Sequence, residues 1–191
     1  MSLSSILLRA AGATGIALGL VLALTAPGYA QKPVIVGGAE MLPSRNIIQN
    51  AVNSKDHTTL VAAVKAAGLV DTLSGAGPFT VFAPTNAAFA RLPKGTVETL
   101  LKPENKAKLT KILTSHVVSA NALSSVITQM VKDGGGTHVV KAVSGDTIKV
   151  TIKAGVVLLT DESGGTARVT LADVRQSNGV IHVIDRVLLP K

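Results

Sequence analysis

Four histidines, His57, His116, His138 and His182, are the side chains of this 191-residue chain best suited to acid–base chemistry or metal binding near neutral pH. A compact zinc site draws two ligands from one helix or strand at short spacing, and no two of these histidines stand that close. Ser115 and His116 are adjacent, which turns their side chains apart, whereas a serine nucleophile needs its base to reach it from elsewhere. His182 and Asp185 are three positions apart, so on a strand of period two they fall on opposite faces. Gly134-Gly135-Gly136 has the glycine content of a phosphate cradle in the wrong setting. It leaves a helix-like segment and enters a strand-like one, whereas a cradle leads from a strand into a helix N-terminus. Cysteine is absent, which excludes disulfides, thiolate metal sites and Cys nucleophiles. No catalytic residue, metal site or cofactor is expected, and the protein reads as non-enzymatic.

The first thirty residues stand apart from the elements that would position these groups. Arg9 is their only charge, Ala10 to Thr25 is almost wholly apolar, and Gly28-Tyr29-Ala30 offers small residues at both key positions of a cleavage site. Residues 1–30 are therefore expected to be a signal peptide cleaved after Ala30, with an uncleaved N-terminal anchor as the alternative. The mature chain is expected in the periplasm or outside the cell, without a membrane span. Its 161 residues suit one domain, and its 18 basic against 11 acidic residues give a net charge of +7. The basic residues are scattered as singles. The densest group, Lys102, Lys106, Lys108 and Lys111, reads as a solvated helix face favouring solubility over a binding patch. Once Tyr29 leaves, the aromatic residues are Phe79, Phe82 and Phe89, too few to stack bases, so nucleic acid is not an expected partner.

Along the mature chain, residues 31–42 show no periodicity and read as a lead-in to a domain over 43–191. Ser44 is a candidate N-cap for a first short helix, and Leu60, Val61, Val64 and Ala67 recur at helical spacing up to Gly68. Phe79 to Ala83 reads as a buried strand that Pro84 stops. Thr85 or Asn86 then caps a helical turn whose Phe89 points back at the core. Helical segments follow over 96–101, 104–113 and 122–131, the last with Leu123, Val126, Ile127 and Met130 in repeat. After the triple glycine the pattern changes to period two, with strands expected over 147–153, 156–160, 167–174 and 180–189 and a hairpin turn at Asn178-Gly179. Helices first and an antiparallel sheet later make an α+β domain. His116 lies where a helix passes into Val117-Val118, and an imidazole there can satisfy loose backbone groups at the helix end.

Three ordered motifs resemble the fasciclin domain family. They are Phe79 to Asn86 with Phe89 behind it, Leu113-Thr114-Ser115-His116-Val117-Val118, and Ser177 through Asn178, Gly179, His182 and Asp185 to Leu189-Pro190. The resemblance covers about Ile47 to Pro190. It implies helices wrapped around a twisted, mainly antiparallel β-sheet wedge that serves as a secreted or surface-attached adhesion and interaction module without a common catalytic activity. The implied structural residues are Pro84, Thr85, Asn86, Phe89, His116, Asn178, Gly179, His182 and Asp185. A protein or polysaccharide surface is the implied partner. Pigment-binding relatives imply the alternative of a carrier for an apolar, pigment-like or lipid-like small molecule. The family usually has a tyrosine before the central histidine; Ser115 stands there, which implies a gap or a rearranged neighbour. Asp173-Val174 matches an Asp–Ile pair that animal members use toward integrins, and is carried as a candidate interaction site.

Overall fold

The computed structural model describes residues Pro33–Lys191; the signal peptide expected over residues 1–30 lies outside them. Two short strands, β1 (Val34–Val36) and β2 (Ala39–Met41), form an antiparallel hairpin of their own. Helices α1 (Ile47–Ala51), α2 (Thr58–Ala67) and α3 (Val70–Ser74) precede strand β3 (Phe79–Pro84). Helices α4 (Asn86–Ala90), α5 (Thr96–Leu100) and α6 (Lys106–Thr114) lead to β4 (Val117–Val118), and α7 (Ser124–Asp133) closes the helical half. Then come β5 (Thr137–Lys141), β6 (Thr147–Lys153), β7 (Val156–Thr160), β8 (Thr166–Gln176) and β9 (Gly179–Ile184).

The larger sheet has seven strands in the order β4-β3-β9-β8-β7-β6-β5. It is antiparallel except where β3 runs parallel to β9, pairing Phe79 with Gly179 through to Pro84 with Ile184. Just beyond β5, the Val143 N–H donates to the Val117 carbonyl of β4 at 2.8 Å, so the two ends of the sheet curl toward each other. The curled sheet has a core on each side. Phe82, Ile148, Val150, Leu159, Ala167 and Ile184 fill the inside, together with Ile127 and Val131 of α7. Val81, Ala83, Ile181 and Val183 face outward against Leu60, Val64, Phe89, Leu109 and Leu113 of the helices. β3 is therefore buried on both faces, which explains why Phe79–Pro84 is apolar at every position but Thr80 and shows no alternation.

Several boundaries differ from the sequence reading. Within the expected lead-in, residues 34–41 form an ordered hairpin: its Val36 and Met41 are buried in the helix-side core, and two glycines at its tip, Gly37 and Gly38, adopt positive φ. Each strand has only three residues, too few for period two to register. Asn46, not Ser44, caps α1; its side chain accepts from the Gln49 N–H while Gln49 reaches back to the Asn46 N–H. The turn between β8 and β9 is centred on Ser177-Asn178, since Gln176 pairs with Gly179. β9 ends at Ile184, because Asp185 onward leaves the ladder. On α7 the buried positions are Ile127 and Val131, while Val126 and Met130 are more than a third exposed.

Candidate functional site

The corner after β3 is built from the backbone outward. Pro84 is the last residue of the parallel register with β9, and the Thr85 N–H donates to the Ile184 carbonyl at 3.3 Å. Thr85 caps α4 by accepting the Ala88 N–H at 3.2 Å. Asn86 has another task. Its Oδ1 accepts from the Thr59 N–H at 3.0 Å and its Nδ2 donates to the Lys55 carbonyl at 2.8 Å, tying this corner to the start of α2. Phe89 is buried among the helix-side core residues.

His116 is fully interior, between the end of α6 and the final segment of the chain. Its Nδ1–H donates to the Ile112 carbonyl at 2.7 Å and its Nε2 accepts the Leu188 N–H at 2.9 Å. Accepting the Leu188 N–H requires the neutral ring, and burial pushes its pKa down to about 4. His182 plays a similar part inside the sheet. It stacks on Phe82 at 5.8 Å, donates through Nε2 to the Ala122 carbonyl at 2.8 Å and accepts the Asp173 N–H at 3.4 Å. Burial lowers its pKa as well.

Asp173 and Val174 do not form a surface pair. Val174 is 1% exposed, turned into the helix-side core. Asp173 sits at a bulge in β8 with φ of +60°, and its carboxylate accepts from the Ser124 N–H at 2.7 Å and from the Ser124 hydroxyl. At this bulge Val174 turns into the core while the Asp173 carboxylate meets the first turn of α7, where backbone N–H groups are free.

Asn178 connects three elements. Its Oδ1 accepts the Ile47 N–H of α1 at 3.0 Å, and its Nδ2 donates to the Leu73 and Gly75 carbonyls at 2.9 Å each. Gly179 is needed for close approach, because a Cβ there would lie 2.0 Å from the Phe79 carbonyl oxygen. Asp185 accepts the Arg168 N–H at 2.8 Å and pairs with Arg91 at 3.3 Å. The structure does not bring His182 and Asp185 together.

The sequence reading missed several polar residues that do comparable work. Ser54 Oγ lies 2.9 Å from His57 Nδ1, both buried, and the far nitrogen of His57 has no partner. Their spacing of three was a readable signal for a local pair. The pair faces an apolar cavity of about 30 Å3 whose lining holds no carboxylate. Asp161 accepts the Gly165 N–H at 2.7 Å and the Leu189 N–H at 2.9 Å, and Thr80 Oγ1 bridges Ala120 and Ala122. Ser115 donates to the Ile112 carbonyl at 2.6 Å, and the space left beside it is about 10 Å3, no more than one water occupies. Among the described residues no three His, Asp or Glu side chains gather as metal ligands, and no helix is long and apolar enough to cross a membrane.

The architecture is an α+β sheet wedge in which His116, His182, Asn178, Asp173 and Asp185 each bind backbone groups. The chain belongs to the fasciclin domain family, whose model matches residues 55–190. It is 46% identical over 178 residues to Protein sll1483 of Synechocystis sp., covering 93% of this chain and 92% of that one. It is 39% identical over 131 residues to transforming growth factor-beta-induced protein ig-h3 of Sus scrofa, covering 69% of this chain but 17% of that protein. Immunogenic protein MPB70 of Mycobacterium bovis is 35% identical over 145 residues, covering 73% of this chain and 66% of that one. The fold matches a FAS1 domain pair from the insect cell adhesion molecule fasciclin I with a TM-score of 0.69 at 19% identity, over 78% of this chain and 52% of that one.

Proposed function

We propose that the chain is an exported, non-catalytic interaction module that attaches to a protein or polysaccharide surface in the periplasm or outside the cell. The observation that carries this reading is the use of polar groups: His116, His182, Asp173, Asn178 and Asp185 are all engaged with backbone, leaving none poised over an open cleft. Export is supported by the composition of residues 1–30, and the fold is one found in a cell adhesion molecule. The alternative of an enclosed carrier for an apolar ligand gains no support from the interior. The cavities between α1, α2 and β3 measure about 30 Å3 each, far below the roughly 300 Å3 at which small-molecule sites begin.

The test is fractionation of a bacterial host expressing the full chain, followed by titration of the purified mature chain onto washed cell-envelope and matrix fractions. Recovery of a chain starting at Gln31 outside the cytoplasm, with saturable binding to one fraction, is the expected result. Retention in the cytoplasm with residues 1–30 intact, or turnover of a substrate that His116→Gln abolishes without unfolding the protein, overturns it.

A further inference from the structure

The outer side of the curled sheet is covered unevenly. The residues of the large sheet that pack against the helices come from β3, β4, β9 and the later part of β8, so the outward face of β5, β6, β7 and early β8 is left bare among the described residues. On those bare strands Val140, Ile148, Val150, Ile152, Leu159 and Ala167 turn into the inner core. Period two therefore turns Lys141, Lys149, Lys153 and Arg168 outward, and all four are exposed. These basic residues are singles along the sequence, and the strand register gathers them onto one face.

The charge of that face is of one sign. Lys149 stands between Val139 and Thr160, Lys141 opposite Thr147, Lys153 opposite Val156 and Arg168 opposite Leu158. None is opposite an acid, although a cross-strand pair of opposite charges would stabilise the sheet. None has a salt-bridge partner among the described residues. The outward positions of the four strands as far as Thr170 hold no Asp or Glu. Glu162, in the turn between β7 and β8, is committed elsewhere: its Oε1 accepts the Thr147 N–H at 2.9 Å and the Thr147 hydroxyl at 3.0 Å. Lys149 and Lys153 are about 13 Å apart along β6, and β8 lies about 10 Å from β6, two strands across. Charges held that far apart cannot converge on one small anion. They match a polymer whose own charges repeat.

We propose that the bare face of β5 to β8 binds an acidic polysaccharide of the polyuronate type: its carboxylates meet Lys149, Lys153 and Arg168, and its hydroxyls meet Thr137 and Thr151. The cross-strand pair Thr137–Thr151 sets hydroxyls among the cations, and the guanidinium fork of Arg168 fits a carboxylate. A sugar-acid chain presents both kinds of partner. Nucleic acid is disfavoured, because these strands carry no Phe, Tyr or Trp on which a base could stack. The proposal rests on the surface-attachment reading and specifies its polysaccharide arm.

Alginate oligosaccharides are the probe, titrated into the mature chain by calorimetry, with dextran of equal length, phosphatidylglycerol vesicles and duplex DNA as comparators. Saturable alginate binding is expected, weakening as sodium chloride is raised, with none to dextran. The double variant Lys149→Gln, Arg168→Gln is expected to weaken it roughly tenfold or more with an unchanged melting temperature, since both side chains are exposed and unpaired. Lys102→Gln with Lys108→Gln, which removes the same charge from the exposed helical surface, is expected to leave it unchanged. Absence of alginate binding, equal losses in the two double variants, or tighter binding of vesicles or DNA than of alginate overturns the proposal. The same pair of variants titrated onto envelope fractions separates the two readings. Full binding by Lys149→Gln, Arg168→Gln overturns this face and leaves surface attachment standing, whereas face-dependent alginate binding without attachment to any fraction supports the face and removes the attachment reading.

Discussion

At the scale of single residues, His116 shows how a titratable group becomes a stability term. Its folded pKa is about 4 against 6.5 for the unfolded chain, because burial penalises the imidazolium by more than the Ile112 carbonyl and Asp161 favour it. Between those values the unfolded chain takes up a proton that the folded chain refuses. Stability from this residue is complete above pH 6.5 and drains away as pH falls toward 4, by up to about 3 kcal/mol. His57 and His182 shift in the same direction for the same cause, so their contributions add. Urea titrations at pH 7, 5.5 and 4.5 are expected to show a falling midpoint at constant slope. A midpoint independent of pH across that window contradicts the neutral-strut assignment. The motif residues were legible as positions in the sequence, and the helix-end placement of His116 gave its role a physical reason. The partners were not legible. Leu188 is 72 residues away from His116 and Ile47 is 131 away from Asn178, distances no local pattern encodes.

Among the elements, α7 depends on a residue outside itself. Its N-cap position, Leu123, supplies no side-chain hydrogen bond, and Asp173 reaches across from the β8 bulge to occupy that role. Asp173→Ala is expected to cost about 1 to 2 kcal/mol and to speed amide exchange selectively over Ser124–Asp133. Asp173→Asn, which tolerates the positive φ and still accepts from the Ser124 N–H, is expected to cost less. Unchanged stability in Asp173→Ala, with loss of surface attachment alone, restores the exposed interaction site that the sequence suggested. The period-two pattern of Thr147–Lys153 and the helical period of Thr58–Ala67 were readable because each buries one face. The α7 pattern misled because Val126 and Met130 share a helical stripe with Ile127, yet only Ile127 and Val131 turn inward under the curled sheet.

For the whole molecule, the amino-terminal hairpin changes where the domain starts. Val36 and Met41 are buried in the helix-side core, and the Lys55 N–H donates to the Gly37 carbonyl at 3.2 Å. A chain beginning at Pro43 is expected to melt well below one beginning at Gln31, and Met41→Ala alone is expected to cost about 2 to 4 kcal/mol. Equal melting temperatures for the two lengths, by calorimetry, make the hairpin dispensable.

The centre of the sheet sets a timetable for the chain as it is made. β3 is wedged between β4 and β9, and every pair it makes with β9 spans about a hundred residues, Phe79 with Gly179 and Pro84 with Ile184. Contacts so remote in sequence close late. A polypeptide still emerging from the ribosome lacks the partner for a strand buried at five of its six positions until synthesis is nearly over, so the two-sided core cannot lock before the last strand is made.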